Sequence, residues 1–380
     1  MSEKTLTRGT HRLVPPEETW RRIEPTFAER GITRVADVTG LDDVGIPVCL
    51  AVRPDAHSLS VSQGKGLTLE LARVSAAMEA IEVSHAEQAV PDLRAPASAL
   101  PELGYRLTDL DLARPSLVSD RLPLDWTAAR WLRSGRATWV PLDYVRISSL
   151  VGPGWTVPLF RSSSTGLAGG NSRDEAIVHA LCEIIERDAV ARSHDLPFDR
   201  RPWLDLGTVG DPGCRWLLER YRSGSNAVFV FDATHDLGVP CYEAHIWSPS
   251  LPVLFRGSGC HLDPAVALSR ALTEAAQVRL ATISGSREDL SARVYSLQAD
   301  RAPRPPADPP GPRVPFCLSD DSTARLADDV ALLTDRLARV RHVEPIVVDL
   351  PAEPVSVVKV VVQGMRNPLG AEETRPQREG

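Results

Sequence analysis

No CxxC pair occurs among the six cysteines (Cys49, Cys182, Cys214, Cys241, Cys260 and Cys317). That absence argues against a structural zinc and against a disulfide framework, and it favours a cytosolic setting. Long apolar runs are missing as well. Nothing approaches the roughly 20 residues that a membrane helix needs. The opening MSEKTLTRGTHRLVPPEE lacks the apolar core of a signal peptide. Positive charge is in deficit: 43 Lys and Arg stand against 50 Asp and Glu, a net charge of −7. Proteins that bind nucleic acid by neutralising phosphates are normally basic, so neither nucleic acid nor a membrane is expected as a partner. Lysine is scarce within that deficit, with only Lys4, Lys65 and Lys359. Lys65 lies between two glycines, so it marks a place that requires an ammonium or falls there by chance; the composition leaves both open.

The 380 residues are 43% hydrophobic and 24% charged, the balance of a globular chain with a sizeable core. Periodicity predicts helices near residues 17–29, 67–90, 173–192, 214–222, 262–283 and 321–340. Strands are expected within 32–54, around an Asp-rich turn, and at 137–146, 155–160, 226–231, 239–247, 252–256, 343–349 and 355–362. Helices and strands interleave, so the fold class is α/β, with mixed α+β character. The expected organisation is a polar lead-in (1–30), one large domain (31–365) and a polar, disordered tail (366–380). The Pro-rich run RAPRPPADPPGPRVP (301–315) cannot form a helix or a central strand and is expected as a surface loop.

The strongest signal is internal. One long helix carries Ser75, Glu79 and Glu82; a second carries His179, Glu183 and Glu186, with Arg187 next; a third carries Arg270, Glu274 and Gln277, with Arg279 two further on. Each set has i, i+4, i+7 spacing, which places its members on one helical stripe. Glycine-containing stretches precede the helices: GKG at 64–66, GLAGGN at 166–171 and GSGC at 257–260. They read as loops, each following a candidate strand, so the chain contains three strand, Gly-loop and helix units.

The flanking positions on these helices are apolar almost all round, which predicts burial of both faces. Buried carboxylates without counter-charge repel and would rather protonate. Bound cations resolve that conflict, and an all-oxygen ligand set suits Mg²⁺. The rival reading has these glutamates exposed and paired with surface arginines. Glycine loops at helix starts offer N–H groups to phosphate. GKG is not the common phosphate-loop motif, because the earlier glycine and the following Ser or Thr are missing. With Lys65, Arg187 and Arg279 nearby in the pattern, the constellation points to a nucleoside triphosphate site outside the common phosphate-loop folds.

The segments SVSQGKGLTLELARVSAAMEAIE (60–82), STGLAGGNSRDEAIVHALCEIIERDA (164–189) and GCHLDPAVALSRALTEAAQVRLATISGSREDL (259–290) resemble the ATP-binding core of YcaO-domain proteins. The resemblance runs from about residue 31 to about residue 362. It implies a single YcaO-type domain with ATP and Mg²⁺ as cofactors and a precursor peptide as substrate. The implied activity is phosphorylation of a peptide backbone amide oxygen. A sulfide nucleophile then gives a thioamide, a Cys, Ser or Thr side chain gives an azoline, and an amine gives an amidine. By the same resemblance Glu79, Glu82, Glu183 and Glu186 ligate Mg²⁺. Asn171 and Glu175 contact the nucleoside. Ser75, Glu274 and Gln277 complete the polar stripes. Arg187, Arg279 and Lys65 are the catalytic cations at the phosphates, with Arg34 and Arg53 as further candidates.

The chain ends AEETRPQREG, without the PxPxP tail of many azoline formers, and no separate leader-binding domain is expected before residue 31. Its third segment and closing VEPIVVDLPAEPVSVVKVVV are most similar to members that accompany a TfuA protein, which favours thioamide formation with a TfuA-like partner. Family members are often homodimers. A regulatory nucleotide-binding protein without turnover is the rival from another class. Cys182 and Cys260 read as core residues, His179 as a hydrogen-bonding member of its stripe, and His261 with Asp263 as a helix cap. Trp126, Trp131, Trp139 and Trp155 read as core.

Overall fold

In the computed structural model, which describes residues 3–150, 157–224, 226–289, 295, 310–316 and 319–367, the chain opens with α1 (Pro16–Ile23). It continues through β1 (Arg34–Asp37), β2 (Val48–Val52), β3 (Val61–Lys65) and α2 (Leu69–Glu87). The next stretch holds β4 (Leu93–Pro96), β5 (Pro123–Trp131), β6 (Ala137–Pro141), α3 (Leu142–Val145), β7 (Leu167–Gly170) and α4 (Arg173–Asp195). There follow β8 (Trp203–Leu204), α5 (Pro212–Ser223), β9 (Ala227–Asp232), β10 (Cys241–Trp247), β11 (Phe255–Cys260) and α6 (Pro264–Ser284). The last elements are β12 (Arg313–Val314), α7 (Leu326–Arg341), β13 (Ile346–Leu350) and β14 (Ser356–Val361). The mixed α/β class is as expected.

These strands form three sheets: β1-β2-β3, β11-β10-β9-β8-β12, and β4-β5-β13-β14-β7 with β6 on β5. Each sheet supplies one strand that leads directly into a long helix: β3 into α2, β7 into α4, and β11 into α6. Thr68, Ser172 and Asp263 cap these helices, their side chains accepting from the N–H groups of Leu71, Glu175 and Ala265. Small residues let helix and strand approach closely. A Cβ on Gly64 would lie 2.0 Å from the Ala76 nitrogen and 2.2 Å from the Ala72 carbonyl oxygen. A Cβ on Gly259 would lie 2.6 Å from the Ala271 nitrogen and 2.1 Å from the Ala267 oxygen. The glycines expected in phosphate loops are therefore largely strand residues: Gly64 lies in β3, Gly169 and Gly170 in β7, and Gly257 and Gly259 in β11. At Gly64 and Gly259 the chain needs glycine so that a helix backbone can lie against the strand.

The three helices are buried on most sides, as their patterning predicts. α2 packs in a core with Trp126, Trp131, Ile346 and Val361. α4 shares a second core with α7, β13 and β14, and α6 shares a third with α5 and the five-stranded sheet. Other boundaries moved. The expected strand at 137–146 stops at Pro141 and turns into α3, and the first helix gives way to a 3-10 turn, Glu24–Thr26. Of the expected strand at 155–160, residues 157–160 hold only the isolated bridge of Phe160 to Leu112, and 155–156 lie outside the described residues, Trp155 with them. Residues 301–309 of the Pro-rich run also lie outside them. The end of that run forms β12, which pairs in parallel with β8 at a sheet edge, where proline is tolerated. Of the expected tail, 368–380 lies outside the described residues. Among those described, no helix is long and apolar enough to cross a membrane.

Candidate functional site

One hydrogen bond recurs in all three units. The backbone N–H of Gln63 donates to Glu79 Oε2 (3.3 Å), that of Gly166 to Glu183 Oε2 (3.0 Å), and that of Ser258 to Glu274 Oε1 (3.3 Å). Each middle acid of a stripe is thus pinned by the strand, or the residue just before the strand, of its own unit. The last residue of each stripe reaches across to the next unit. Glu82 accepts from the Gly169 N–H (2.6 Å) in β7, and Glu186 accepts from Ser258 Oγ (2.7 Å) in β11. Gln277 Nε2 donates to Gln63 Oε1 (3.3 Å) in β3. The three units therefore close into a ring that gathers five carboxylates far apart in sequence.

The charge state follows from that crowding. Burial raises Glu79 to about 7, with Glu183 adding to the effect and Arg287 and Lys65 opposing it. Burial and then Glu79 raise Glu82 to about 8. Burial and Glu274 raise Glu186, against Arg187 and Arg270. Burial works in the same direction on Glu274, but Lys65 and Arg187 outweigh it and hold this carboxyl low. Lys65 donates to Glu274 directly. Arg187 lies 3.7 Å from Glu183. Burial opposes its charge, yet Glu183, Glu186 and Glu274 hold it more firmly protonated. The reading of exposed, surface-paired glutamates does not describe this ring.

Asn171 and Glu175 meet at the start of α4. The Asn171 side chain donates to Glu175 Oε1 (3.1 Å) and accepts from Thr19 (3.1 Å), while Glu175 Oε2 accepts from the Leu13 N–H (2.9 Å). Arg12 lies 3.8 Å from Glu175 and also acts on the charge of Glu82. His179 contacts Arg270 at 3.1 Å. Ser75 sits half-buried on α2 in the same stripe.

Arg279 is the expected cation that the structure directs elsewhere. Its side chain is buried and makes a forked pair with Asp42 (2.8 and 3.0 Å), its remaining nitrogen donating to Ser248 (2.8 Å). It clamps α6 to the turn before β2 and does not point at the ring. Arg53 is likewise committed to Glu87 and to the Arg30 carbonyl, and Arg34 is exposed at the sheet edge. Cys182 and Cys260 are buried, and their thiols are pushed well up. Asp263 caps α6 as read. Sequence reasoning missed Arg12, Thr19, Gln63, Ser258 and Arg287 around the ring. Gln63 was findable in principle, since it shares a strand face with Lys65, and Ser258 lies in the GSGC stretch; the others carry no local signal.

The site suits Mg²⁺ in a particular way. Among the described residues no three His, Cys, Asp or Glu side chains form a ready-made metal cage. Mg²⁺ commonly keeps several waters and takes one or two carboxylates plus phosphate oxygens. Carboxyls raised by burial and, less, by one another, with oxygen-only donors, fit that mode.

Fold and ring define the class: a mixed α/β domain without a phosphate-loop motif, whose carboxylates and cations converge from three repeated units. The chain belongs to the YcaO family. The family model, described as a YcaO cyclodehydratase that binds ATP and Mg²⁺, matches residues 63–366, so ATP and Mg²⁺ are the cofactors of this family. An uncharacterised protein of Mycobacterium tuberculosis is 42% identical over 295 residues, covering 76% of this chain and 65% of its own length. The chain thus spans just under two thirds of that relative. An uncharacterised protein from the tfuA 3′ region of Rhizobium leguminosarum bv. trifolii is 36% identical over 375 residues, 93% of this chain and 88% of the relative. The fold matches that of YcaO from Methanopyrus kandleri, solved with AMPPCP and Mg²⁺. The TM-score is 0.75 at 24% identity, with both chains covered in full.

Proposed function

We propose that this chain uses ATP and Mg²⁺ to phosphorylate the oxygen of a peptide backbone amide, and that sulfide then replaces that oxygen to give a thioamide. The closed acidic ring carries the reading, because it gathers from three units the charge that a metal-bound triphosphate requires. Glu79, Glu82, Glu183 and Glu186 would hold Mg²⁺, which neutralises charge on the triphosphate. Asn171 and Glu175 would meet the nucleoside. Lys65 and Arg187 would neutralise phosphate oxygens with charge-assisted hydrogen bonds. Ser75 offers a hydroxyl on the same stripe, and Glu274 holds Lys65 in place. Arg279 belongs to the support of α6 in this reading and not to the phosphates.

The chemistry needs this arrangement because an amide oxygen is a poor leaving group and phosphate a good one. Attack by sulfide at the amide carbon puts charge on the oxygen, and that oxygen takes the γ-phosphoryl group from ATP, releasing ADP. The sulfur gives up its proton as loss of phosphate breaks the carbon–oxygen bond, which leaves C=S. The tfuA-region relative favours the thioamide and a TfuA-like partner; a precursor peptide as substrate, a cytosolic setting and a homodimeric assembly complete the proposal. The family description as a cyclodehydratase favours a second reading, in which a Cys, Ser or Thr side chain of the peptide closes an azoline.

Purified protein incubated with ATP, Mg²⁺, a sulfur donor, candidate peptide and a TfuA-like protein tests both. Mass spectrometry separates them: a thioamide exchanges oxygen for sulfur, whereas an azoline loses one water. Nucleotide binding with no phosphate release under any of these conditions would instead indicate a regulatory nucleotide-binding protein.

A further inference from the structure

The ring is threefold in its backbone but not in its chemistry. The residue that reaches into the next unit is a carboxylate twice, Glu82 and Glu186, and an amide once, Gln277. The third junction is therefore a pair of neutral side chains, with Gln277 Nε2 donating to Gln63 Oε1 at 3.3 Å. Gln63 is buried, 2% exposed. Its own Nε2 is fully enclosed and has no hydrogen-bond partner among the described residues. An unpaired buried donor is costly and rare, so it calls for an acceptor that the protein alone does not supply. The position of the pair says which acceptor. The backbone N–H of Gln63 is on Glu79 (3.3 Å), and two residues along the strand Lys65 pairs with Glu274. The amide junction thus lies between a metal-type carboxylate and an ammonium.

We propose that the Gln63–Gln277 junction is a phosphate-oxygen subsite, where the Gln63 side-chain N–H donates to a triphosphate oxygen that no metal covers. The inference rests on the ATP and Mg²⁺ reading and adds a division of labour to it. Carboxylate junctions can meet phosphate only through a cation. An amide junction can meet it directly and carries no charge to repel it. A third carboxylate here would repel the triphosphate or recruit a further cation. The asymmetry therefore orients the triphosphate within an otherwise repeated ring.

Isosteric charge substitutions test this. Gln63→Glu and Gln277→Glu are compared with the native chain in two measurements: calorimetric binding of AMPPCP in Mg²⁺, and Mn²⁺ binding without nucleotide by electron paramagnetic resonance. Each variant is expected to weaken AMPPCP about tenfold or more, as fits losing a hydrogen bond to a charged group and gaining a repulsion. Each is expected to tighten Mn²⁺ in the absence of nucleotide. A purely structural role for the pair would not move these two affinities in opposite directions. AMPPCP affinity within twofold of the native chain, in variants that melt normally, overturns the subsite. Should Gln63→Glu melt early, Gln277→Glu decides, because Gln277 is less enclosed. A native chain that binds neither Mn²⁺ nor AMPPCP overturns the ATP reading together with the subsite. Native binding with unchanged variants overturns the subsite alone.

Discussion

Glu82 offers the clearest test of the ring's electrostatics. Its carboxyl is raised to about 8 by burial and by Glu79, against an ordinary value near 4.3. Between those two values the folded chain binds a proton that the unfolded chain does not, so this group's contribution to stability falls as pH rises. Glu82→Gln, measured without divalent cations, should raise stability by about 5 kcal/mol at pH 8.5 and by only about 1 kcal/mol at pH 5, where the native acid is neutral and only the unfolded one is ionised. The same variant should lose Mg²⁺ affinity, and native Mg²⁺ affinity should itself fall as pH drops from 8.5 to 6. Thermal melts across pH and metal titration read both. All three lysines also prove to sit where a compact ammonium is held: Lys4 on Asp329 (2.5 Å), Lys65 on Glu274, and buried Lys359 on the Ser163 carbonyl (2.6 Å).

A paired substitution separates Arg187 from Arg279. Arg279→Ala should cost about 3–5 kcal/mol of stability, because it strands buried Asp42, and should leave nucleotide affinity nearly unchanged in the folded fraction. Arg187→Ala should do the reverse, with phosphate release slowed about a hundredfold or more. Denaturant melts and turnover measured on one preparation read the pair. The distinction was partly legible in the sequence. At about 3.6 residues per turn, the residue two beyond Gln277 points some 200° away from it, whereas Arg187 directly follows Glu186 and stays near the stripe.

At the scale of elements, the i, i+4, i+7 spacing put the five acids on the helix stripes that meet in the ring, because a long helix fixes where its side chains point. The glycine stretches were harder to read, since the same residue serves a phosphate loop and a close strand–helix contact. Only the three-dimensional approach of α2 and α6 tells them apart. Gly64→Ala and Gly259→Ala should each cost several kcal/mol or prevent folding, since the added Cβ meets backbone and not a movable side chain. A change at Gly40, where a Cβ meets nothing within 4 Å, is the matched control and should stay within about 0.5 kcal/mol. Denaturant unfolding midpoints compare them. If glycine were needed only as a phosphate cradle, Gly64→Ala would weaken nucleotide binding and leave the midpoint where it was.

At the scale of the whole molecule, the lead-in is what the sequence disguised most. It was read only as a polar lead-in, yet residues 3–19 tie together the starts of three helices. Lys4 pairs with Asp329 in α7, His11 lies 3.4 Å from Asp263 at the cap of α6, and Leu13 and Thr19 bond Glu175 and Asn171 at α4. Long-range contacts made by polar groups leave no periodicity, so no local pattern announced them. The lysine–aspartate pair is the testable anchor, with side chains 2% and 0% exposed. Lys4→Met leaves a buried aspartate without its cation and should cost about 3–5 kcal/mol, whereas Lys4→Met with Asp329→Leu should recover much of that loss, because a buried pair replaced by apolar groups is often near neutral. Releasing the lead-in also removes the partners that orient Asn171 and Glu175. Nucleotide affinity should therefore fall in the single variant and return in the double one. If the double variant regains stability but not affinity, the ammonium itself serves the nucleotide site and the lead-in is more than a brace.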